Sequence, residues 1–243
     1  MKRFFVDKIQ DPMILTGDNH KHLSLVLRAE IGDEVVLCPG DGNDYIYTVS
    51  GISKRETRLS ARGVAANPNE PTVKLTVFSA LMKGDKNELA VQKLTELGVA
   101  EIVPFYSEHT VARPSPSRAE RLRRICEEAA KQCGRAVVPT VGTEISFDAV
   151  LSRVSRFDLA VFPYEKAEAD DIRSFLRERT AAGAPIRSAA LVIGAEGGFS
   201  DAEAEKAAAA GLVPVTMGKR ILRAETANIA AAAILMYELG EMR

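Results

Sequence analysis

Residues 189–200 read AALVIGAEGGFS, and this stretch decides the class of fold. The unbroken apolar run at 189–193 is typical of a strand buried on both faces. Three glycines follow it, and Ser200 with Glu203 then matches the capping box that begins a helix. A strand, a glycine loop and a capped helix in this order predict an α/β fold with a mainly parallel sheet.

The same alternation of strand, loop and helix recurs from residue 70 onward. Near-continuous apolar runs predict strands at 73–81, 101–106, 157–162, 189–193 and 212–217. Helices are predicted after Asp85, Ser117 and Ser200, because each has a glutamate three positions later and so matches a capping box. A last helix, at about 225–239, is apolar nearly all round, which indicates burial on more than one side and favours a subunit interface. We therefore predict one α/β domain at 70–243.

The first seventy residues have a different pattern, in which short β-like runs alternate with turn residues. Runs at 34–38 and 45–49 flank a turn at 39–44 that is rich in residues able to adopt positive φ. A third run at 57–64 would complete a small barrel or sheet, and the Asn-Pro-Asn-Glu-Pro segment after it is typical of a linker. We therefore predict a separate small β domain at 1–69.

Composition excludes several classes of protein. The chain has 243 residues, 46% hydrophobic and 27% charged, which predicts a packed globular protein. It contains no apolar run of about 18 residues and no signal-peptide pattern at its beginning, so we expect a cytoplasmic location. Three histidines and three cysteines fit no metal-ligand spacing, so we expect no metal site. We interpret Cys38, Cys126 and Cys133 as small buried hydrophobic residues.

The glycine loop at 194–198 is the first candidate for binding a ligand. Ligands of parallel α/β sheets bind at the carboxyl ends of the strands, and glycines let the backbone approach them closely. The spacing matches neither the dinucleotide fingerprint nor the P-loop, and Glu196 would repel a pyrophosphate. S-adenosylmethionine, with an adenine, ribose hydroxyls and a sulfonium cation, tolerates such a carboxylate. A purely structural glycine turn accounts for the loop equally well at this point.

A second unusual loop precedes the closing helix and reads MGKRILRAETA at 217–227. Glu225 could simply cap the helix that begins there. Arg223 is harder to explain structurally, because a cation beside a buried element usually has a partner or a ligand.

Together the two loops, GAEGGF at 194–199 and MGKRILRAETA at 217–227, resemble the cofactor signature of SPOUT methyltransferases, and in particular the ribosomal RNA small subunit methyltransferase E family. The resemblance covers nearly the whole chain in the right order. Its further motifs are RFFV at 3–6, HLSLVLR at 22–28, GDEVVLCPGDG at 32–42, QKLTELGVAEIVPF at 92–105 and EEAAKQCGR at 127–135. This family more usually has proline at positions 195 and 219, where this chain has alanine and lysine.

The resemblance implies a PUA-like RNA-binding β-barrel followed by a SPOUT methyltransferase domain whose chain forms a trefoil knot. It also implies a homodimer that uses S-adenosylmethionine to methylate N3 of one uridine in 16S ribosomal RNA of the small subunit. The residues implied to enclose the cofactor are Phe162, Pro163, Gly194, Glu196, Gly197, Gly198, Met217, Gly218, Ile221 and Leu222. For catalysis we expect Arg223 to stabilise an anionic uracil and Glu225 to orient it, whereas no general base is apparent.

Six cations are candidates for holding the RNA. They are Arg3 and Arg28 in the first domain, and Lys83, Arg113, Arg121 and Arg124 in the second. Three of them belong to the segment 113–135, which carries seven cations against three anions. Such a segment can hold phosphates, although an ordinary solvated surface has the same composition.

Two other functions remain open. The chain could be a SPOUT methyltransferase with a different RNA target, which mapping of the methylated nucleotide would reveal. It could also be an RNA-binding assembly factor that has lost catalysis, which failure to bind the cofactor would reveal. A nicotinamide-dependent oxidoreductase is disfavoured by the missing fingerprint and by Glu196.

Overall fold

The computed structural model describes residues 2–112, 115–167, 170–181 and 183–242, and the chain divides into two units. The first comprises Met1–Glu70 together with Ala130–Val138, and the second comprises Pro71–Ala129 together with Pro139–Arg243. The sequence patterns placed a boundary close to residue 70, but they did not indicate that Ala130–Val138 belongs with the first unit.

The first unit is built on a five-stranded sheet with the order β1-β3-β4-β5-β2. Its strands are β1 (Lys2–Phe5), β2 (Met13–Leu15), β3 (Glu34–Cys38), β4 (Asn43–Ile52) and β5 (Thr57–Ala66). β1 is parallel to β3 and the other pairs are antiparallel. A short helix, α1 (Gly17–Lys21), continues into a π-helical turn at His22–Val26. The predicted runs correspond to β3, β4 and β5, whereas the elements before residue 30 were not predicted.

A buried ion pair holds Ala130–Val138 in the first unit. Arg135 is only 3% exposed and donates to Glu70 at 3.0 Å. The same carboxylate accepts from the backbone N–H groups of Ala136 at 2.8 Å and Val137 at 2.9 Å. A buried charge needs such partners. Arg135 is one of the seven cations counted in the segment 113–135, and its burial in this ion pair removes it from the surface that could hold phosphates.

The cysteines have mixed environments. Cys38 and Cys126 are buried as predicted, while Cys133 is partly exposed. Burial raises the pKa of the Cys38 thiol to about 11, against the opposing effect of Arg3 nearby, so this thiol is uncharged at neutral pH.

Within the described residues, the second unit has eight strands, all paired in parallel, which confirms the predicted α/β class. The strands are β6 (Lys74–Ala80), β7 (Glu101–Tyr106), β8 (Thr140–Val141), β9 (Ile145–Ser146), β10 (Leu159–Pro163), β11 (Asp170–Asp171), β12 (Ser188–Ile193) and β13 (Pro214–Thr216). The helices are α2 (Lys86–Glu96), α3 (Pro116–Cys133), α4 (Phe147–Val154), α5 (Ile172–Ala181), α6 (Asp201–Ala209) and α7 (Ala224–Glu238). The last four residues of α3 belong to the first unit. The order across the sheet is β11-β13-β10-β12-β6-β7-β8, with β9 also paired to β7.

Only one of the three predicted capping boxes forms. Ser200 accepts from the backbone N–H of Glu203 at 3.2 Å, and the Glu203 carboxylate accepts from the backbone N–H of Ser200 at 3.1 Å. Asp85 precedes α2 with helical backbone angles and no capping hydrogen bond from its side chain. Ser117 lies inside α3, which begins one residue earlier. The other two predictions are therefore wrong.

An aromatic cluster lies under the carboxyl ends of the central strands. Phe199 packs on Phe162 with ring centroids 4.8 Å apart and on Phe147 at 5.2 Å. Phe105 stacks on Phe199 from the side of β7. Because Phe199 follows the glycine loop and is 2% exposed, it fixes the end of that loop in the core.

No helix in the described part of the chain is long and apolar enough to cross a membrane.

Candidate functional site

A cavity of about 530 Å³ lies in the second unit, where β10, β12 and β13 end. Three segments form its walls, at 163–167, 193–199 and 216–227. The lining residues are Pro163, Tyr164, Glu165, Ala167, Ile193, Gly194, Ala195, Glu196, Gly197, Gly198, Phe199, Thr216, Met217, Gly218, Lys219, Arg220, Ile221, Leu222, Ala224 and Ala227. The carboxyl ends of parallel strands are where α/β sheets bind ligands.

Two glycines of the first loop are required by their surroundings. A Cβ atom on Gly197 would lie 2.7 Å from Cβ of His109, closer than such atoms approach. Gly198 has φ +66°, which disfavours other residues, and a Cβ there would also displace the carboxylate end of Glu165. The loop is therefore packed between the segments that follow β7 and β10.

Hydrogen bonds from the segment that follows β7 also hold the glycine loop and the helix after it. Nδ1 of His109 lies 2.8 Å from the carbonyl oxygen of Gly197, so it is the protonated nitrogen of the ring. The backbone N–H of the neighbouring Glu108 donates to Glu203 at 2.8 Å. Within the loop, the N–H of Gly198 donates to the carbonyl of Ala195 at 3.0 Å.

Glu196 connects the loop to the segment that follows β6. Its Oε1 accepts from the backbone N–H of Lys83 at 3.0 Å and from Nζ of Lys86 at 2.8 Å. Burial raises the pKa of the Glu196 carboxyl, but the two donors outweigh it and leave the pKa below its ordinary value. The carboxylate is therefore charged at neutral pH, and Lys86 balances part of that charge.

Tyr164 and its neighbours close the side formed by β10. The Tyr164 hydroxyl donates to Asp201 at 2.9 Å, and Lys166 donates to the same oxygen at 2.5 Å. Lys166 and Tyr164 lower the pKa of the Asp201 carboxyl, which is thus charged at neutral pH.

The second loop connects β13 to α7 without regular structure. Gly218 has φ +107°, and its backbone N–H donates to the Thr216 hydroxyl oxygen at 3.2 Å. Lys219, Arg220 and Arg223 are exposed, whereas Ala224, the first residue of α7, is buried. This loop therefore places a row of cations at the mouth of the cavity.

Nine of the ten residues predicted to enclose a cofactor line this cavity. Phe162 is the exception, because it is fully buried in the aromatic cluster below. Tyr164 and Glu165 follow Pro163 at the same strand end and line the cavity as well. The prediction omitted Ala195, Lys219 and Arg220, although all three lie inside the two loops that carry the resemblance.

The two predicted catalytic residues stand at the beginning of α7. Arg223 is exposed at the N-cap position, and its guanidinium has no hydrogen-bond or ion-pair partner within the described part of the chain. Glu225 is half-buried, and its Oε2 is a buried acceptor that no described residue satisfies. Oδ1 of Asn228, one turn later, is a second such acceptor.

The predicted RNA-binding cations have different environments. Arg3 is engaged with Asp44, at 2.5 and 2.8 Å, and with the Cys38 sulfur, so it contributes to the fold of the first unit. Arg28 is exposed and has φ +46°. Lys83 is also exposed, although its backbone N–H is bound by Glu196.

The remaining three cations come from the charged segment. Arg121 pairs with Glu88 at 2.6 Å, and Arg124 pairs with Glu120 at 2.5 Å. Arg113 lies outside the described residues. Across the described ranges, no group of three or more His, Cys, Asp or Glu residues is placed to hold a metal ion.

Comparison with known proteins agrees with this architecture. The sequence model of the RNA methyltransferase domain matches residues 68–236, and that of the RNA methyltransferase PUA domain matches residues 15–59. The ribosomal RNA small subunit methyltransferase E of Bacillus subtilis is 31% identical to this chain over 255 residues, which cover 100% of this chain and 99% of the relative.

Two solved structures that contain a cofactor are also similar. The ribosomal RNA small subunit methyltransferase E from Neisseria gonorrhoeae, bound to S-adenosylmethionine, superposes with a TM-score of 0.85 at 27% identity and covers 98% of this chain and 97% of its own. A structure from Legionella pneumophila assigned to a methyltransferase, with bound S-adenosylmethionine, superposes with a TM-score of 0.84 at 27% identity. The match covers 97% of this chain and 96% of the Legionella chain. The domain match spans more than half of the chain and the Bacillus relative matches its full length, so this chain belongs to the ribosomal RNA small subunit methyltransferase E family.

Proposed function

We propose that this chain transfers the methyl group of S-adenosylmethionine to N3 of a specific uridine in 16S ribosomal RNA of the small subunit. The observation that carries the proposal is the cavity at 163–167, 193–199 and 216–227, which combines closely packed glycines with apolar walls. Its volume of about 530 Å³ is in the usual range for small-molecule sites. The membership of a methyltransferase family supports the same conclusion.

The residues around the cavity fit this cofactor. Gly194, Gly197 and Gly198 allow a close approach of the backbone, while Met217, Ile221 and Leu222 offer apolar surface to an adenine or a methylene chain. When bound, S-adenosylmethionine supplies an electrophilic methyl group on a positively charged sulfur. The charged Glu196, which lines the cavity, would favour a cation and disfavour a phosphate-bearing cofactor.

Arg223 is proposed to stabilise the uracil as its N3 proton is lost. Negative charge then develops on the uracil, and an exposed guanidinium without another partner in the described structure can lie against it. The amino end of α7 favours the same negative charge. We expect Arg223→Gln to lower kcat by about a hundredfold, with partial recovery in Arg223→Lys, because a preorganised donor typically contributes this much.

Glu225 is proposed to orient the substrate. Its unsatisfied Oε2 would accept a hydrogen bond from a donor that arrives with the substrate or with a second subunit, because a buried acceptor without a partner is costly.

The described part of α7 also supports the proposed homodimer. Ile229, Ala233 and Tyr237 recur every four residues and thus share one face, and none of the three is buried. Tyr237 is 66% exposed. A partly exposed apolar stripe on a helix is suited to a second copy of the chain. Sedimentation of the purified protein, compared with Tyr237→Lys, tests this proposal.

The proposed RNA contacts use Arg28 in the predicted barrel domain at 1–69 and Lys83, Arg121 and Arg124 in the predicted methyltransferase domain at 70–243. Arg121 and Arg124 would have to exchange exposed ion pairs for phosphates, which costs little at the surface. Arg3 and Arg113 were candidates on sequence grounds alone.

The decisive experiment combines binding with mapping. Calorimetry should show binding of S-adenosylmethionine but not of NADH, and Gly197→Val should abolish it because of the contact with His109. Gly63→Val is the matched control, since a Cβ there meets nothing within 4 Å. Mass spectrometry of 16S ribosomal RNA after incubation then locates the methyl group.

Two other outcomes would contradict the proposal, and a third would only redefine the form of the substrate. A methyl group on another RNA, or on another atom, would indicate a different target. Methylation of assembled small subunits but not of free RNA would keep the chemistry and redefine the substrate. No binding of S-adenosylmethionine even at millimolar concentration would instead favour an RNA-binding assembly factor.

A further inference from the structure

The loop Lys219–Arg223 has an unusual combination of exposed residues for a segment that borders a cavity. Lys219 and Arg220 line the cavity and are exposed, and Arg223 is exposed directly after them. None of the three side chains has an ion-pair partner among the residues that the structure describes. Three uncompensated cations within five residues attract an anion to the mouth of the cavity.

Three exposed or partly exposed cations on α3 are, by contrast, paired with carboxylates. On α3, Arg118 pairs with Glu144, Arg121 with Glu88, and Arg124 with Glu120, each within 2.6 Å. The positive electrostatic potential at the cavity mouth therefore comes from side chains that are free to bind a ligand. The charges of these three α3 cations are already screened by carboxylates.

Ile221 stands between these cations and is 85% exposed while lining the cavity. An isoleucine in this position leaves most of its apolar surface in water, which is less favourable than burying it. A small part of this side chain faces the cavity and the rest lies at its entrance, so it is well placed to contact whatever enters.

We propose that Lys219–Arg223 is the edge on which the RNA is held, with Lys219 and Arg220 on phosphates beside the target nucleotide. Ile221 enters the gap that the target base leaves in the stack when it turns into the cavity. A base in a stack has to be extruded before an enzyme can reach it, and apolar side chains inserted between bases lower the cost of unstacking. This inference rests on the proposed methylation of RNA.

The cationic part of the proposal is tested by direct binding of transcribed 16S ribosomal RNA at several salt concentrations. For Lys219→Gln/Arg220→Gln we expect weaker binding. The slope of the logarithm of the binding constant against the logarithm of the salt concentration should be shallower by about 1.4 to 1.8, the value for two lost phosphate contacts. The matched control is Arg156→Gln/Arg187→Gln, which removes two exposed cations at the amino ends of β10 and β12, on the opposite edge of the sheet. Equal changes in both variants, or none in the first, would overturn this part.

The apolar part is tested with two short RNAs that contain the mapped uridine, one with it stacked in a helix and one with it in a single strand. Ile221→Ala should lower kcat/KM at least tenfold on the helical RNA and much less on the single strand, and Ile221→Met should restore most of it. Equal losses on both RNAs would refute a role in unstacking. A change in sedimentation of Ile221→Ala would instead assign the residue to a subunit contact.

These tests are separable from the proposed function. RNA binding requires no methyl transfer, so the salt dependence is informative even if the wild-type chain leaves 16S ribosomal RNA unmodified. If the wild-type chain methylates the RNA and the loop variants bind it normally, only the proposal on Lys219–Arg223 fails.

Discussion

Replacing Gly197 by alanine should damage the cavity through one identifiable contact. The added Cβ would lie 2.7 Å from Cβ of His109, about 0.8 Å short of the closest ordinary carbon contact of roughly 3.5 Å. Because both atoms are attached directly to backbone, a rotamer change cannot relieve the contact, and one of the two segments has to shift. A displacement near 1 Å at a site of this kind can cost about a hundredfold in activity.

The assay is a double-mutant cycle read by calorimetry with S-adenosylmethionine and by kcat on 16S ribosomal RNA. Gly197→Ala in the wild-type background should lose a large part of both quantities. In a His109→Gly background, where the opposing Cβ is absent, the same alanine should have little additional effect. Gly63→Ala, with open space around its Cβ, controls for the general cost of replacing a glycine. Full activity of Gly197→Ala, or the same loss in both backgrounds, would refute the steric argument.

Three further predictions concern the surroundings of the same loop. His109→Gln can still donate a hydrogen bond to the carbonyl of Gly197, whereas His109→Ala cannot. The alanine variant should therefore weaken cofactor binding by about fivefold and the glutamine variant by less, and equal losses would exclude a role for this hydrogen bond. The pKa of Glu196 is below its ordinary value of 4.5, so the contribution of its charge to cofactor affinity is complete above that pH and is lost as the pH falls through the lowered pKa. Titration of Glu196 should thus leave the affinity unchanged between about pH 5 and 8. On further acidification the affinity should fall in the wild type but not in Glu196→Gln. Ser200→Ala should lower the free energy of unfolding in urea by about 1 kcal/mol, whereas Ser117→Ala, inside a helix, should not; similar values for both would mean that the capping box contributes nothing.

The class of fold and the position of the cavity could be predicted because both follow from local patterns. A buried strand such as Ser188–Ile193 shows as an apolar run, and the glycines after it mark a backbone that must pack closely. The two wrong predictions of capping boxes also arise from local patterns. Ser117 and Asp85 satisfy the spacing of a capping box, but that spacing does not specify where the helix begins, and a shift of one residue places the serine inside it.

Phe162 illustrates a different limit of sequence patterns. It is the last residue but one of a strand that is apolar on both faces. No alternation of polar and apolar residues therefore distinguishes the side chain that faces the core from the one that faces the cavity. Phe162 faces the core and Pro163 lines the cavity. Similarly, the pairing of Arg135 with Glu70 joins residues 65 positions apart, which charge patterns along a helix cannot reveal.

The glycine loop is a motif in the sequence, but its shape depends on segments far from it along the chain. Lys83 and Lys86 bind Glu196 from the segment after β6, His109 covers Gly197 from the segment after β7, and Phe199 anchors the end of the loop in the core. A loop with three glycines has many accessible conformations, and these contacts select one of them. Substitutions at Lys86 and His109, which do not line the cavity, should therefore weaken cofactor binding by releasing the loop and not by removing a contact with the cofactor. The same reasoning explains why the glycines alone left a structural turn and a binding loop equally plausible.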